Sequence, residues 1–172
     1  MTAKRLSPAG LPYRPNVGIV LLNAKGLVWI GLRKTGVGDE DVPTYPWQLP
    51  QGGIDKGESP RQAVKRELWE EVGTRKAEII AEAREWFYYD LPPEVLGRKR
   101  KNTWGGQMQK YFALKFLGED GDVDLEVHHP EFIDWRWVEL HELPELAVPF
   151  KRHVYERVVE EFSPVIENLR AS

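Results

Sequence analysis

The chain has 172 residues, of which 41% are hydrophobic and 30% are charged, and its formal net charge is −3. This length suits one globular domain, and the small net charge argues against a general nucleic-acid binder, so a polyanionic ligand would need a local cluster of cations. The absence of cysteine excludes disulfides, thiolate metal sites and a cysteine nucleophile.

The start of the chain has no targeting pattern. Residues 1–12 contain Lys4 and Arg5 among small residues and prolines, without the apolar stretch of a signal peptide. The longest apolar run, residues 17–22, is too short to cross a membrane. We therefore expect residues 1–12 to be a flexible N-terminus, and the protein to be cytoplasmic and without a membrane partner.

The first predicted elements are two strands. Residues 17–22 and 27–32 are short apolar runs rich in β-branched residues, separated by the sequence NAKG, and this pattern predicts a β-hairpin. Residues 35–46 hold glycines, prolines and acidic residues, which favours a surface loop.

The next segment predicts a helix that begins after Ser59. Ser59 is a good N-cap, Pro60 suits the first helical position, and Gln62 completes the spacing of a capping box. Gly73 supplies the C-terminal stop. An apolar stripe runs between these ends, at Val64, Leu68 and Val72.

Later residues alternate between strand and loop patterns. Strands are predicted at residues 77–83, 85–89, 109–116 and 132–138, a loop at 91–106, and a final helix from about Phe150 to Phe162. Mixed strands with two or three helices predict an α/β or α+β sandwich. We assign residues 13–165 to a single domain and residues 166–172 to a C-terminal tail.

Three glutamates crowd the end of the predicted helix, at Glu67, Glu70 and Glu71. Like charges at these spacings cost roughly 0.2–0.5 kcal/mol per pair, and the negative end of the helix dipole adds roughly 0.3–1 kcal/mol for each. A solvated charged face is the ordinary explanation of such a run. A bound hard cation would instead make the arrangement favourable, because Mg²⁺ and Mn²⁺ prefer carboxylate oxygens.

The sequence around these glutamates decides between the two explanations. Residues 52–74 read GGIDKGESPRQAVKRELWEEVGT. The spacing from Gly52 to Glu58, and on to the run REXXEEXG that starts at Arg66 and ends at Gly73, resembles the Nudix hydrolase family. Thr74 departs from the family pattern, which usually has an aliphatic residue there, and we expect this to affect only the packing between helix and strand.

The resemblance implies a Nudix-type α/β/α sandwich with a mixed central sheet and a loop–helix–loop metal motif. It implies that Mg²⁺ or Mn²⁺, with more than one ion, is bound by Glu67, Glu70 and Glu71, helped by the backbone carbonyl of Gly52. Glu58 and Arg66 are expected to form a buried pair that braces the motif. Divalent metal would neutralise phosphate oxygens and make bound water nucleophilic near neutral pH.

Segments outside this motif resemble one branch of the family, the RNA pyrophosphohydrolases and diadenosine polyphosphate hydrolases, particularly their alphaproteobacterial and plant-type members. These segments begin at residues 13, 47, 89, 106, 130 and 150, and they read YRPNVG, WQLPQGG, YDLP, GQMQKYF, PEF and FKR. WRWV at residue 135 and VY at residue 154 extend the last two.

The branch resemblance implies further site residues. Glu131 is expected to be a metal ligand or general base, acting with the three glutamates of the helix. Tyr89 and Phe150 are expected near the base or the polyphosphate, although both also suit the core. Lys34 is an alternative to Arg33 as a phosphate-binding residue. The run RKRK at residues 98–101 is interpreted as a solvated loop. The predicted phosphate-binding residues are Arg14, Arg33, Lys110 and Lys151.

The predicted function is a metal-dependent pyrophosphohydrolase in which water attacks phosphorus. It would release pyrophosphate from 5′-triphosphorylated RNA, split dinucleoside polyphosphates asymmetrically, or do both. One alternative is a Nudix hydrolase of nucleotide sugars or nucleoside triphosphates. Another is a non-catalytic nucleotide- or RNA-binding module, which should have lost carboxylates of the motif, whereas all are present here. The sequence indicates no stable protein partner.

Overall fold

The computed structural model describes residues 4–34, 46–96 and 104–172. Within this part of the chain, eight strands form one mixed sheet. The strands are β1 Tyr13–Leu22, β2 Val28–Arg33, β3 Trp47–Gln48, β4 Gln51–Gly53, β5 Ala77–Glu82, β6 Phe87–Asp90, β7 Gly106–Phe116 and β8 Phe132–Val138. The α-helices are α1 Pro60–Val72, α2 Pro93–Leu96, α3 Leu143–Leu146 and α4 Arg152–Ala171.

The centre of the sheet is the parallel pair of β1 and β7, which runs from Tyr13 opposite Gly106 to Leu22 opposite Lys115. β5 and β6 are antiparallel to β7. On the other side, β2 meets β1 at Leu22 and Val28, which confirms the predicted hairpin, and then pairs with β3 and β8. β4 pairs with the first half of β1, so the residues around Gly52 lie beside Asn16 and Val17.

The two faces of the sheet are covered by the two long helices. Because side chains alternate along a strand, β1 buries Val17, Ile19 and Leu21 in one cluster with α1, and Val20 and Leu22 in another with α4. A mixed sheet between helices is the predicted α/β/α sandwich, which is thereby confirmed. The helical residues in the two clusters include Val64, Leu68, Val72, Val154, Val158 and Phe162.

The caps of α1 are those that its sequence predicts. The Ser59 side chain accepts a hydrogen bond from the Gln62 backbone, and the Gln62 side chain accepts one from the Ser59 backbone. Gly73 ends the helix with φ 77°, a left-handed conformation that favours glycine. Thr74, the departure from the family pattern, is buried and accepts a hydrogen bond from the Lys76 backbone, where the chain turns towards β5.

The predicted end of the last helix was wrong. α4 continues to Ala171, so residues 166–171, predicted as a tail, are helical. The helix contains Pro164, which cannot donate a backbone hydrogen bond. It nevertheless continues to pack on the core after this residue, as the burial of Ile166 shows. Arg170 then anchors the last turn by donating to the backbone carbonyl of Lys25 and to Glu139.

Short elements were not predicted. β3 and β4 have two and three residues, too few for an alternating pattern, and α2 and α3 have four residues each. Of the predicted loops, residues 35–45 lie outside the described residues, as does the basic run at residues 98–101. Among the helices that are described, none is long and apolar enough to span a membrane.

Candidate active site

The three glutamates of α1 differ in their surroundings. Glu67 and Glu71 are 7% and 8% exposed and lie on the buried face of the helix, since a spacing of four residues places them on one side. Glu71 Oε2 accepts a hydrogen bond of 3.1 Å from the backbone N–H of Gln51. Glu70 is half-buried. Two carboxylates therefore face the short strand β4.

Gly52 and Gly53 of β4 allow this close approach. A Cβ at Gly52 would lie 1.9 Å from Cδ of Glu67, and a Cβ at Gly53 would lie 2.6 Å from Nη2 of Arg14. No side chain fits at Gly52 while the Glu67 carboxylate stays where it is. The lack of a side chain at Gly52 therefore lets this residue lie close to Glu67, with which it was predicted to bind metal.

Arg66 connects the motif loop to the helix. Its Nε and Nη2 atoms donate to the two carboxylate oxygens of Glu58, both at 2.8 Å, and Nη2 also donates to the Gly53 carbonyl at 2.8 Å. Its Nη1 atom donates to Glu67 and Glu70 at 2.7 and 3.1 Å. The hydrogen bonds from Arg66 lower the pKa of Glu58. The Glu58–Arg66 pair was predicted to be buried, but both side chains are half-buried.

Burial dominates the electrostatics of the other carboxylates. Burial raises the pKa of Glu67 to about 7, although the hydrogen bond from Arg66 opposes the shift. Burial also raises the pKa of Glu71 well above its usual range, and the charges of Glu131 and Glu67 add to the effect. Three carboxylates, two of them buried, therefore repel one another, which is the situation that a bound cation relieves.

The donor set suits a hard divalent cation, because every candidate ligand presents oxygen. In residues 4–34, 46–96 and 104–172, however, no three acidic or histidine side chains are already arranged to hold an ion. Arg66 Nη1 contacts one oxygen of Glu67 and one of Glu70. A cation would bind these carboxylates through their other oxygens, with Arg66 still in place.

A cavity of about 220 Å³ lies beside these glutamates. It combines residues from β1, β2, β3, β4, β7, α1 and the residue before β8. Arg14, Arg33, Gly52, Glu67 and Glu131, all predicted site residues, line it together. Cations and carboxylates thus share one cavity, as the binding of a metal–polyphosphate complex requires. The other lining residues are Asn16, Gln48, Gln51, Gly53 and Gln107.

Other predicted residues lie elsewhere. Lys110 Nζ is 3.4 Å from the Arg84 carbonyl and is not part of the cavity lining. Tyr89 is buried and Phe150 half-buried, with their ring centroids 5.9 Å apart. Lys151 is buried, its ammonium lies 5.3 Å from the Tyr89 ring centroid, and burial lowers its pKa to about 7.

The sequence did not predict the neutral amides of the cavity. Gln51 and Gln107 belong to segments that carry the family resemblance, but neither bears a charge that suggests a role. Gln109 is fully buried in β7 on the same face as Tyr111 and Ala113, and a polar residue in line with apolar ones is a signal that could have been used, because buried amides need partners.

Comparisons with known proteins agree with this architecture. A family model described as NUDIX domain matches residues 12–158. The chain is 49% identical over 162 residues to the RNA pyrophosphohydrolase of Rhodopseudomonas palustris (strain BisB18), covering 92% of each chain. It is 52% identical over 156 residues to the RNA pyrophosphohydrolase of Afipia carboxidovorans, covering 89% of this chain and 93% of the relative.

Solved structures share the fold at lower identity. The Ap4A hydrolase of C. elegans superposes with a TM-score of 0.58 at 21% identity, covering 90% of this chain and 98% of that one. The MutT protein of Methanosarcina mazei Go1 gives 0.57 at 20% identity, covering 88% and 96%. These likenesses concern the fold alone, whereas the family model covers most of the chain. The chain therefore belongs to the Nudix family of pyrophosphate-bond hydrolases.

Proposed function

We propose that the protein removes pyrophosphate from 5′-triphosphorylated RNA and also splits dinucleoside polyphosphates. The observation that carries the proposal is the cavity in which Arg14 and Arg33 face the same space as Glu67 and Glu131. Relatives about 50% identical are named RNA pyrophosphohydrolase, which supports RNA as the first substrate to test. A cytoplasmic location is part of the proposal and suits a chain without cysteine.

The metal in this proposal is Mg²⁺ or Mn²⁺, since members of the family generally depend on divalent metal. Glu67, Glu70 and Glu71 would hold it with the carbonyl of Gly52, and Glu131 would be either a further ligand or the general base. The raised pKa values of Glu67 and Glu71 support this assignment, because buried carboxylates without a cation are costly. When bound, the metal neutralises phosphate oxygens and lowers the pKa of water.

The protein's own side chains bind, orient and move a proton. Arg14 and Arg33 are both exposed at the cavity and would bind the phosphate oxygens by charge-assisted hydrogen bonds. Arg66 holds Glu58, Glu67 and Glu70 in register with the motif loop. Glu131, which is exposed, would accept the proton of the attacking water unless it acts as a metal ligand.

Tyr89 and Phe150 form an aromatic pair that we place beside the substrate base. Phe150 packs against the core with part of its ring and keeps part of its surface accessible. An exposed aromatic face stacks on any base with little sequence preference. Lys110 is omitted from the proposed phosphate-binding set, because its ammonium lies next to the Arg84 carbonyl instead.

The proposed reaction is a hydrolysis that consumes one water molecule and breaks one phosphoanhydride bond. Water attacks one phosphorus of the chain of anhydrides, the bond to the bridging oxygen breaks, and that oxygen leaves with the departing phosphate group. RNA with a 5′-triphosphate then gives a 5′-monophosphate end and pyrophosphate. Diadenosine tetraphosphate gives ATP and AMP.

The test is a side-by-side assay of both substrates with purified protein and either Mg²⁺ or Mn²⁺. ADP-ribose and the four nucleoside triphosphates serve as comparison substrates, and reaction in ¹⁸O-labelled water identifies the bond that is cleaved. Faster turnover of a nucleotide sugar or a nucleoside triphosphate would replace the proposed substrate. Tight binding of RNA without turnover of any compound would favour the non-catalytic module.

A further inference from the structure

Beneath the cavity lies a hydrogen-bonded network of amide side chains that ends on a buried lysine. We propose that Lys151 is a positioning residue: its ammonium sets the orientation of these amides, so that Gln51 and Gln107 present N–H donors to the substrate phosphates. The identification of the phosphates as those of a nucleotide rests on the proposed function. The orientation of the amides follows from the hydrogen bonds alone.

The network begins at Gln51. Its Oε1 atom accepts hydrogen bonds from Lys151 Nζ and, at 2.8 Å, from Gln109 Nε2. Gln109 Nε2 also donates to Gln107 Oε1 at 2.9 Å. On its other side, Gln109 Oε1 accepts a hydrogen bond of 2.9 Å from the Tyr111 hydroxyl. Gln109 and Tyr111 are fully buried, so water does not compete for these bonds.

Below its pKa of about 7 the lysine is an ammonium, which can donate hydrogen bonds but never accept them, and in this form it sets the direction of the bonds that lead from Gln51. Gln51 must therefore turn its oxygen towards Lys151. Gln109 must then offer its nitrogen to that same oxygen, and its second N–H must find an acceptor, which is Gln107 Oε1. Rotating any one of these side-chain amides by 180° would place two donors or two acceptors opposite each other. Each buried group left unpaired in this way costs about 1–3 kcal/mol.

This orientation leaves particular atoms available at the cavity. Gln51 and Gln107 both line it, and with their oxygens engaged below, their Nε2 groups have no partner among the residues that the structure describes. They lie in the same cavity as Arg14 and Arg33. Two neutral donors thus supplement two charged ones, a combination suited to the many oxygens of a polyphosphate.

Asn16 completes the pattern with an acceptor. Its Nδ2 atom donates to Gln107 Oε1 at 2.9 Å, so its Oδ1 atom is the one left over. This residue is 2% exposed and lines the cavity, and in the described part of the chain Oδ1 has no hydrogen-bond partner. A fully ionised phosphate has no hydrogen to donate, so in this proposal Oδ1 accepts from a hydroxyl or amine of the nucleoside.

The alternative is that Lys151 itself binds phosphate, as the sequence predicted. The two roles differ in a double-mutant cycle between Lys151→Met and Gln51→Ala, with affinity for inorganic tripolyphosphate measured by calorimetry in saturating Ca²⁺. If Lys151 acts through Gln51, each single variant should bind about three- to tenfold more weakly, and the double variant no more weakly than Gln51→Ala. Additive losses would show that Lys151 contacts phosphate directly and would overturn the proposal. In that case the plot of log affinity against log salt concentration should also have a slope about one unit shallower for Lys151→Met than for the wild type.

Tyr111→Phe is the second variant, in case Lys151→Met does not fold. Tyr111 does not line the cavity, so loss of its hydroxyl can weaken tripolyphosphate binding only through Gln109 and the amides beyond it. We expect a loss of about two- to fivefold, which is absent when Gln51 and Gln107 are both replaced by alanine, because Gln109 contacts both. Unchanged affinity in Tyr111→Phe, with a native melting temperature, would contradict the network.

Asn16→Leu tests the acceptor separately. It should weaken binding of ATP at least about threefold more than binding of tripolyphosphate, which carries no hydroxyl or amine and responds only to loss of the Nδ2 donor to Gln107. Equal losses for both ligands would contradict the role of Oδ1. The proposed function is judged independently by turnover: a wild type that binds tripolyphosphate but hydrolyses neither RNA nor diadenosine tetraphosphate would refute that function alone, whereas failure to bind tripolyphosphate would refute both.

Discussion

The contact between Gly52 and Glu67 shows how a single residue can control the proposed metal site. Because a Cβ at Gly52 would lie 1.9 Å from Glu67 Cδ, Gly52→Ala must move either β4 or the carboxylate. We expect a stability loss of about 1–3 kcal/mol, typical of overpacking, and at least a tenfold weaker response to Mg²⁺ in the activity assay.

Gly121→Ala is the matched control, since a Cβ there meets nothing within 4 Å. It should leave both the melting temperature and the metal dependence unchanged. A Gly52→Ala protein with a wild-type metal titration would show that Glu67 does not need this close approach, and the ligand assignment of Glu67 would lose its steric support.

Glu67 also predicts how the metal-free protein responds to pH. Its folded pKa, about 7, lies above the ordinary 4.5, so the folded state holds a proton that the unfolded state has released between these values. The stability that this proton contributes to the folded state is fully present below about pH 4.5 and is lost as the pH rises through about 7. At about 1.4 kcal/mol per pKa unit, the loss is at most about 3.5 kcal/mol.

Urea unfolding in chelator, from pH 4.5 to 7.5, measures this loss. Glu67→Gln should have a flatter profile than the wild type over that range, because its amide does not titrate. Parallel profiles for the two proteins would mean that Glu67 titrates normally and that its carboxylate is not held in a desolvated position.

Several charged residues that line the cavity were predicted from the sequence, whereas its neutral amides were not. Glu67 and Glu71 stand out in the sequence because their placement on a helix is unfavourable without a cation. Gln107 carries no such penalty. Its role depends on hydrogen bonds to Asn16 and Gln109, and Asn16 belongs to another strand. Lys151 was predicted as a phosphate ligand, and its burial could not be predicted, because the sequence does not show what covers a side chain.

At the scale of elements, the start of α4 forms the wall that we place beside the base. Phe150 precedes this helix and is half-buried, so Phe150→Ala should cost about 1–2 kcal/mol, less than the 3–5 kcal/mol of a fully buried phenylalanine. The KM for diadenosine tetraphosphate should rise about five- to twentyfold, since stacking on a base contributes about 1–3 kcal/mol.

Phe162→Ala on the same helix is the control, because Phe162 is 1% exposed and lies in the core. It should show the full stability loss and an unchanged KM. If Phe150→Ala instead melts as low as Phe162→Ala and keeps the wild-type KM, Phe150 belongs to the core and the aromatic wall must be sought elsewhere.

The boundaries of elements were predictable where local chemistry defines them. α1 begins and ends where its cap residues predict, since Ser59, Gln62 and Gly73 act on neighbouring backbone groups. The end of α4 depends instead on contacts between Arg170 and the β1–β2 turn, far away in sequence. β4 has three residues and exists because it pairs with β1, so no local pattern could reveal it.

At the scale of the whole molecule, the site exists only when the sheet is assembled. The cavity takes residues from both β1 and β7, and the parallel pairing of these strands joins the two halves of the chain. The sequence predicted the sandwich from its helices and strands, but not the strand order, because parallel pairing leaves no short-range signal.

Metal binding should therefore stabilise the entire fold and not just the motif loop. A ligand that binds only the folded state at a hundred times its Kd stabilises it by about 2.7 kcal/mol, which for a domain of this size raises the Tm by roughly 5–10 °C. We expect this rise at pH 7.5 with Mg²⁺ against chelator, and a smaller rise at pH 5, because the pKa of Glu67, about 7, means that protons compete with the metal for this carboxylate at pH 5.

Glu71→Gln separates this effect from general ionic strength. The variant relieves repulsion with Glu131 and Glu67, so in chelator it should melt no lower than the wild type, and Mg²⁺ should raise its Tm little. Glu78→Gln, at an exposed position on β5, should respond as the wild type does. Only Glu71 belongs to the buried carboxylates of the proposed metal site, so binding there should separate the two variants. If Mg²⁺ raises the Tm of Glu71→Gln and Glu78→Gln equally, Mg²⁺ acts on surface charge in general.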